Sequence, residues 1–283
     1  MDDPPRRRPL SDGSAPPRLI PDGLDASVVL VRHGESTLIA QGRFQGQAET
    51  PLTPIGRRQA ALVAGRLARP HVPPALPLPA GPPTELVHSP LQRTTETADA
   101  IGVASSLAGA AVRARPDPAF LEIHQGEWQG LHRDEIETRY GPTLSAWRRT
   151  PLEAWAPGGE SLGQVQARVR PGLVSVLGRL ADGHSPGTLD RSQVPGYRDP
   201  APEHPWSIVV GHDGVFKVVL LTLFDLPLDR FWMWSMDLCG ITIVELRAGR
   251  PVMRAHNLTA HLAAMADAEA VAESEQRASG GAL

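Results

Sequence analysis

Two short stretches of this sequence carry residues that could do chemistry. Val29-Leu30-Val31-Arg32-His33-Gly34-Glu35-Ser36 is an apolar run that stops at an Arg-His pair followed by glycine, and Ile208-Val209-Val210-Gly211-His212-Asp213-Gly214 repeats the pattern with a second histidine. An aliphatic, β-branched run closing on a polar turn reads as a buried parallel strand. Such a strand delivers its last residues to the carboxyl edge of the sheet, where open α/β sheets hold their ligands. Two such strands bring two imidazoles to one edge. A lone histidine at a strand end is usually ordinary; a matched pair, one preceded by arginine, points to a site. Periodicity places Arg93 in the first turn of a helix, where backbone N–H groups and the helix dipole already favour an anion. An arginine there is usually solvent-exposed; beside a third strand end it could equally point into the site.

The elements that position these residues follow from the pattern. Ala40 to Gly46 is a Gly-flanked loop. Thr53-Pro54 makes an N-cap and first-turn pair, and Ile55, Leu62, Val63 and Leu67 share one face, so a helix over 54–69 should cover one side of the sheet. Residues 70–83 hold seven prolines and read as a surface loop. A short strand is expected over 85–88. A helix should follow over 91–101, with Leu91, Thr94, Thr95, Ala98 and Ile101 facing inward, and then a strand over 111–115. Leu121 to Gly130 is a loop with two glycines. Residues 131–180 read as helical in pieces, near 132–140, near 143–149 and after Pro157-Gly158-Gly159-Glu160-Ser161. Leu162, Val165, Val169, Val176, Leu177 and Leu180 form an apolar face on the last piece, and Pro171 should kink or break it. Residues 181–205 are rich in Pro, Gly, Asp and Ser and read as an inserted loop. A helix over 215–224 follows the second histidine. Phe231 to Met236 is core or a dimer contact, and strands are expected over 241–246 and 251–255. Residues 1–24 read as a disordered leader, 25–262 as the folded domain and 263–283 as a tail.

Composition narrows the class. The 283 residues are 41% hydrophobic, enough for one large α/β domain. A net charge of -3 gives no case for nucleic acid or an anionic membrane. Lys217 is the only lysine among 28 basic residues. One cysteine, Cys239, excludes an internal disulfide and a multi-cysteine metal site. No apolar stretch is long enough to span a bilayer, and the first residues lack a secretory signal's apolar segment, so a soluble, cytoplasmic protein is expected.

Six blocks then make a resemblance specific: Arg32-His33-Gly34-Glu35-Ser36; Gly42-Arg43-Phe44-Gln45-Gly46; Pro51-Leu52-Thr53 with Gly56 and Gln59-Ala60; Ser89-Pro90-Leu91 with Arg93 and Thr97-Ala98; Glu122 with Gly126 and Gly130; and Gly211-His212. In unbroken order over 27–261, they resemble the histidine phosphatase superfamily. The resemblance implies a phosphoglycerate-mutase-like fold, a three-layer α/β/α sandwich around a mixed, mainly parallel sheet, with 131–180 as a helical lid. It implies His33 as nucleophile, forming a phosphohistidine, and a neutral reactive imidazole whose tautomer a backbone carbonyl could hold. Arg32 and Arg93 would grip phosphate oxygens with their planar forks. His212, cationic beside phosphate, would complete the cage. Glu122 would protonate the leaving alkoxide and then activate water. Arg43 and Gln45 match positions lining the substrate mouth.

The sequence also departs from the family pattern. Leu38 and Ile39 stand where many members carry Trp-Asn, and are expected to touch the substrate. Glu49 replaces an aspartate. Asp213 follows the second histidine where glycine is commoner; its carboxylate would repel an anion unless turned away, while its N–H could donate to phosphate. Phosphoglycerate mutases carry a tyrosine three residues after the acid and an asparagine two after the second histidine, where this chain has Gln125 and Gly214. Trp147-Arg148-Arg149 is similar to a mutase element for a substrate carboxylate, but Pro157-Gly158-Gly159-Glu160-Ser161 resembles the branch with broad-specificity and α-ribazole phosphatases. The reading is a metal-independent phosphatase for small-molecule phosphomonoesters, needing no cofactor and compatible with a homodimer. A mutase-type phosphoryl transferase and a non-catalytic phosphate-binding module are the alternatives.

Overall fold

The computed structural model describes residues 18–182 and 204–265. Its sheet is built around β1 (Ala26–Arg32), whose alternating aliphatic residues are buried on both faces. β1 pairs parallel with β4 (Trp206–Gly211) and antiparallel with β5 (Ile241–Arg247). β2 (Glu85–His88) lies beside β4, β3 (Ala114–Pro116) beside β2, and β6 (Arg250–Leu258) beside β5, giving the order β3-β2-β4-β1-β5-β6. The β3/β2, β2/β4 and β4/β1 pairs are parallel. Arg32 lies opposite Gly211 and His88 opposite Val210, so His33, Ser89 and His212 all leave the sheet at one edge.

Side chains alternate across a strand, and those of β1 divide between two cores. Val29 and Val31 join Leu86, Ile208, Val210, Ile241 and Ile243 under α2 (Pro54–Ala68) and α3 (Gln92–Leu107). Val28 and Leu30 join Val87, Val209, Val244 and Leu246 under α4 (Arg133–Arg149), α5 (Leu162–Asp182) and α6 (Asp213–Leu223). This is the α/β/α sandwich expected. At about 1.5–3 kcal/mol for each fully buried aliphatic side chain, the double coverage fixes β1, and with it His33, in the best-packed part of the molecule.

The turn after β1 is set by a backbone contact. Thr53 caps α2 by accepting from Gly56 N at 3.0 Å, with Pro54 in the first turn. A Cβ on Gly34 would run into the Gly56 carbonyl, and one on Gly56 into the Glu35 carbonyl, so both glycines are required for this approach.

Several expectations are corrected. Residues 18–24 are not a free leader: Leu24 is buried, and Leu19 and Ile20 pack against the core. The rest of the leader (1–17), residues 183–203 of the insertion and the tail from 266 lie outside the described residues. α5 runs unbroken past Pro171 to Asp182, because apolar side chains are buried both before the proline (Val165, Val169) and after it (Leu173, Val176, Leu177). It accordingly packs as a core helix. The helical run α4 does kink at Tyr140 (φ -133°), ahead of Gly141-Pro142, as the two sequence pieces imply. The proline-rich 70–83 segment sends Leu76 and Leu78 into the core.

Candidate active site

Three strand ends and two helix starts meet at the sheet edge. The His33 and His212 rings lie 5.0 Å apart between centroids at 63°. Between them stands Arg93 of α3, whose Nε donates to His33 Nε2 and to His212 Nδ1, each at 3.3 Å. His33 Nδ1 donates to the Gly34 carbonyl at 2.6 Å, and His212 Nε2 faces Ser89 Oγ at 2.9 Å. These partners fix both tautomers: His33 keeps its Nε2 lone pair toward Arg93, and His212 its Nδ1 lone pair. Burial, then Arg93 and Arg32, holds His33 well below the ordinary histidine pKa. Burial, Arg93 and His33 do the same for His212. The pocket's own groups therefore favour the neutral His212 ring; the expected cation belongs to the phosphate-bound site.

Arg93 is fully buried. Its Nη1 donates to Ala48 O (2.9 Å) and its Nη2 to Gly46 O (2.7 Å). Burial lowers its pKa to about 10, so it stays cationic at neutral pH. Arg32 donates from Nη1 to Met236 O at 2.6 Å, while its buried Nε has no hydrogen-bond partner. Two guanidiniums thus converge beside two neutral imidazoles.

Glu122 sits at the start of α6. Its Oε1 accepts from Ile123 N (2.8 Å) and Val215 N (2.9 Å), and its Oε2 from Gly214 N (3.2 Å). Burial raises its pKa and Asp213 adds to the rise, against the pull of the N–H donors. Asp213 itself turns away: Oδ2 pairs with Lys217 Nζ at 2.7 Å and Oδ1 accepts from Met236 N at 3.2 Å. That orientation pairs the carboxylate with a cation and lessens the repulsion expected of Asp213, although its charge still acts on Glu122. Lys217 is also 5.3 and 5.1 Å from the ring centroids of Phe231 and Trp232. Of the segment around it, Phe231 and Met236 are buried, whereas Trp232 and Met233 are exposed.

The residues expected at the substrate mouth make no hydrogen bond to either histidine. Arg43 donates to Gly130 O at 2.6 Å and pairs with Glu135 at 3.5 Å, tying its loop to the start of α4. The Gln45 side-chain oxygen is held by the hydroxyls of Ser36 and Thr50, a structural anchorage. Leu38 and Ile39 are half-buried in the one-turn helix α1 (Thr37–Ala40). Arg148 and Arg149 are exposed in the last turn of α4, and Arg148 faces Glu137 at 3.6 Å. Glu49 does not face a histidine; it accepts from Gln92 N at the start of α3.

Four participants escaped the sequence reading. Ser89 was legible in principle, because it ends β2 as His33 ends β1. Lys217, one helical turn after Asp213, carried the signal of an i,i+4 pair. Arg168 carried none, since three of its five bonds run to backbone groups, and Glu160 showed only as part of the Pro157–Ser161 motif. Among the described residues no group of three or more His, Cys, Asp or Glu is arranged to hold a metal ion. No described helix is long and apolar enough to cross a membrane. Burial pushes the Cys239 thiol up to about 12, which leaves it protonated.

Comparison with known proteins agrees with this geometry. Residues 28–259 match the histidine phosphatase superfamily, branch 1. The chain is 28% identical over 235 residues to phosphoserine phosphatase 1 of Hydrogenobacter thermophilus, covering 83% of this chain and 93% of that one. It is 32% identical to a glucosyl-3-phosphoglycerate phosphatase of Mycobacterium tuberculosis, covering 72% and 78%. The structure of a mycobacterial glucosyl-3-phosphoglycerate phosphatase complexed with VO3 superposes with a TM-score of 0.65 at 26% identity, covering 83% of this chain and all of that one.

Proposed function

The chain belongs to the histidine phosphatase superfamily, branch 1, and on that premise we propose that it hydrolyses small-molecule phosphomonoesters through a phosphohistidine at His33. The observation that carries the reading is the locked, neutral His33: Nδ1–H is held by Gly34 O, and the Nε2 lone pair accepts from Arg93 Nε, with the Arg32 charge also acting on the ring.

In the first step His33 Nε2 attacks phosphorus and the P–O bond to the alcohol breaks. The leaving oxygen takes the proton of the Glu122 carboxyl group, whose raised pKa keeps a protonated fraction available. Arg32 and Arg93 neutralise the equatorial oxygens, and a proton drawn onto His212 by the bound dianion would add a third positive donor. In the second step water attacks phosphorus, Glu122 carboxylate accepts its proton, and the P–N bond breaks, returning the lone pair to Nε2. Apart from the attacking water, both steps use only the chain's own groups, and they take place in the cytoplasm.

The surface position of Arg148 and Arg149 supports hydrolysis over a mutase reaction, which would need them at the substrate. The test is phosphate release from phosphoserine, glucosyl-3-phosphoglycerate, 3-phosphoglycerate and p-nitrophenyl phosphate, with 3-phosphoglycerate also run in a coupled isomerisation assay. Release without isomerisation supports the reading. Isomerisation without release would establish a mutase, and binding without either would establish a non-catalytic module.

A further inference from the structure

Glu122 lies on a segment without regular secondary structure, between single turns at Pro118–Phe120 and Gly126–Trp128. Its side chain is fixed by α6, but something must fix its backbone. That role falls to one guanidinium in α5. Arg168 donates from Nη1 to Ala119 O (2.9 Å) and Leu121 O (2.8 Å), from Nη2 to Glu122 O (3.0 Å) and Glu160 Oε2 (2.9 Å), and from Nε to Glu160 Oε1 (2.8 Å). All five N–H groups of the fork are engaged, three of them on the loop that carries Glu122.

Glu160 closes the frame. Besides gripping Arg168 with both oxygens, it accepts from His124 N at 2.9 Å and from Gln47 Nε2 at 3.3 Å; the same Gln47 nitrogen donates to Glu122 O at 2.9 Å. The Glu160 N–H returns a bond to His124 O at 2.9 Å. A Cβ on Gly126 would run into the Pro157 carbonyl, so the Pro157–Ser161 turn is pressed against the loop. The turn and α5 therefore act as a jig for residues 119–124.

We propose that Arg168 and Glu160 are positioning residues for the reaction: the fully engaged guanidinium of Arg168, held by Glu160, sets where the Glu122 carboxyl group meets the leaving oxygen. This rests on the reading of Glu122 as the acid. A lysine has neither the planar fork nor five donors, so it cannot replace Arg168. Neither residue hydrogen-bonds His33, Arg93 or His212, and of these Arg168 acts only through its charge on His212, so the effect should fall on proton transfer far more than on phosphate binding.

The experiment is a double-mutant cycle between Arg168→Met and Glu122→Gln, read as the single-turnover rate of His33 phosphorylation by an alkyl phosphate and by p-nitrophenyl phosphate. Displacing a catalytic group by about 1 Å costs on the order of a hundredfold. Arg168→Met should therefore slow the alkyl ester by about ten- to a hundredfold and the nitrophenyl ester by about threefold or less, and should shift inhibition by inorganic phosphate by no more than about twofold. In the Glu122→Gln background it should add almost nothing. Equal slowing of both esters, or undiminished slowing in the Glu122→Gln background, would overturn the proposal while leaving the acid assignment intact. A Glu122→Gln enzyme without leaving-group selectivity would instead overturn the acid assignment and the proposal together. If Arg168→Met does not fold, Arg168→Lys and Glu160→Gln take its place in the cycle, with the same outcomes supporting or overturning the proposal.

Discussion

Replacing Glu122 with glutamine isolates the proton from the geometry. A glutamine oxygen at the Oε1 position keeps the bonds from Ile123 N and Val215 N, but its NH2 group then faces the Gly214 N–H in place of Oε2. One buried acceptor is lost, which costs about 1–3 kcal/mol and, for a domain of this size, lowers Tm by several degrees, at roughly 2–4 °C per kcal/mol. The protein stays folded. The chemical loss is larger: general acid catalysis contributes about 10²–10⁴-fold, or roughly 3–5 kcal/mol of barrier at 1.36 kcal/mol per tenfold. An alkoxide cannot leave without that proton, whereas p-nitrophenolate leaves as a stable anion. Rapid-quench measurement of phosphohistidine formation should accordingly show the full loss for an alkyl phosphate and less than about tenfold for the nitrophenyl ester. The first step must be measured directly, because Glu122 also activates water and the second step slows for both. Equal loss in the first step, or none, would refute the assignment.

His33→Ala should abolish turnover and the acid-labile phosphoenzyme seen by mass spectrometry after quenching at high pH, with the fold retained by circular dichroism. Both histidines hold fewer protons folded than unfolded, so their contribution to stability is complete above about pH 6.5. It should be lost as pH falls from there toward their depressed folded values. Urea midpoints between pH 7.5 and 5 should decline, less steeply in His212→Asn; a flat profile would contradict the neutral pair. Glu160 behaves separately: burial opposes its charge, but Arg168 and the His124 N–H hold its pKa below the ordinary carboxylate value, so its contribution disappears only at lower pH. Gly46→Ala places a methyl group at φ +52° against Gln129 and Gln125 and displaces the carbonyl that holds Arg93 Nη2. KM and the phosphate inhibition constant should rise by about tenfold or more, on the order of one lost charged hydrogen bond. EDTA should leave phosphate release unchanged; inhibition reversed by a divalent cation would refute the metal-independent reading.

The strands and most helices were legible because their signals are local: an aliphatic run ending in Arg-His, a Thr-Pro cap, an apolar stripe on α5. That logic failed at Pro171, where burial on both sides of the proline outweighed the cost of a lost backbone bond. It failed too at residues 18–24, where Leu19, Ile20 and Leu24 directly follow a stretch rich in Pro, Asp, Ser and Arg. In the site, the residues at strand ends and helix starts could be placed, since topology alone brings His33, Arg93 and His212 to one edge. Arg43 and Arg148 could not, because a long side chain goes to its nearest acceptor, and here those are Gly130 and Glu135 for Arg43 and Glu137 for Arg148. Asp213 was the most instructive, its charge offset by Lys217 one turn away.

The pairing of β1 with β4 also sets when this enzyme becomes an enzyme. Ser27 meets Trp206 and Arg32 meets Gly211, so the two histidine strands are neighbours in the sheet although most of the chain lies between them. Contacts of such sequence separation form against a large loop-closure cost and characterise slow-folding topologies. The β2–β3 and β5–β6 pairs and the individual helices close over short distances and need not wait for it. Helical signal during refolding should therefore return ahead of catalysis, and the first turnover marks the moment the two distant histidine strands have found each other.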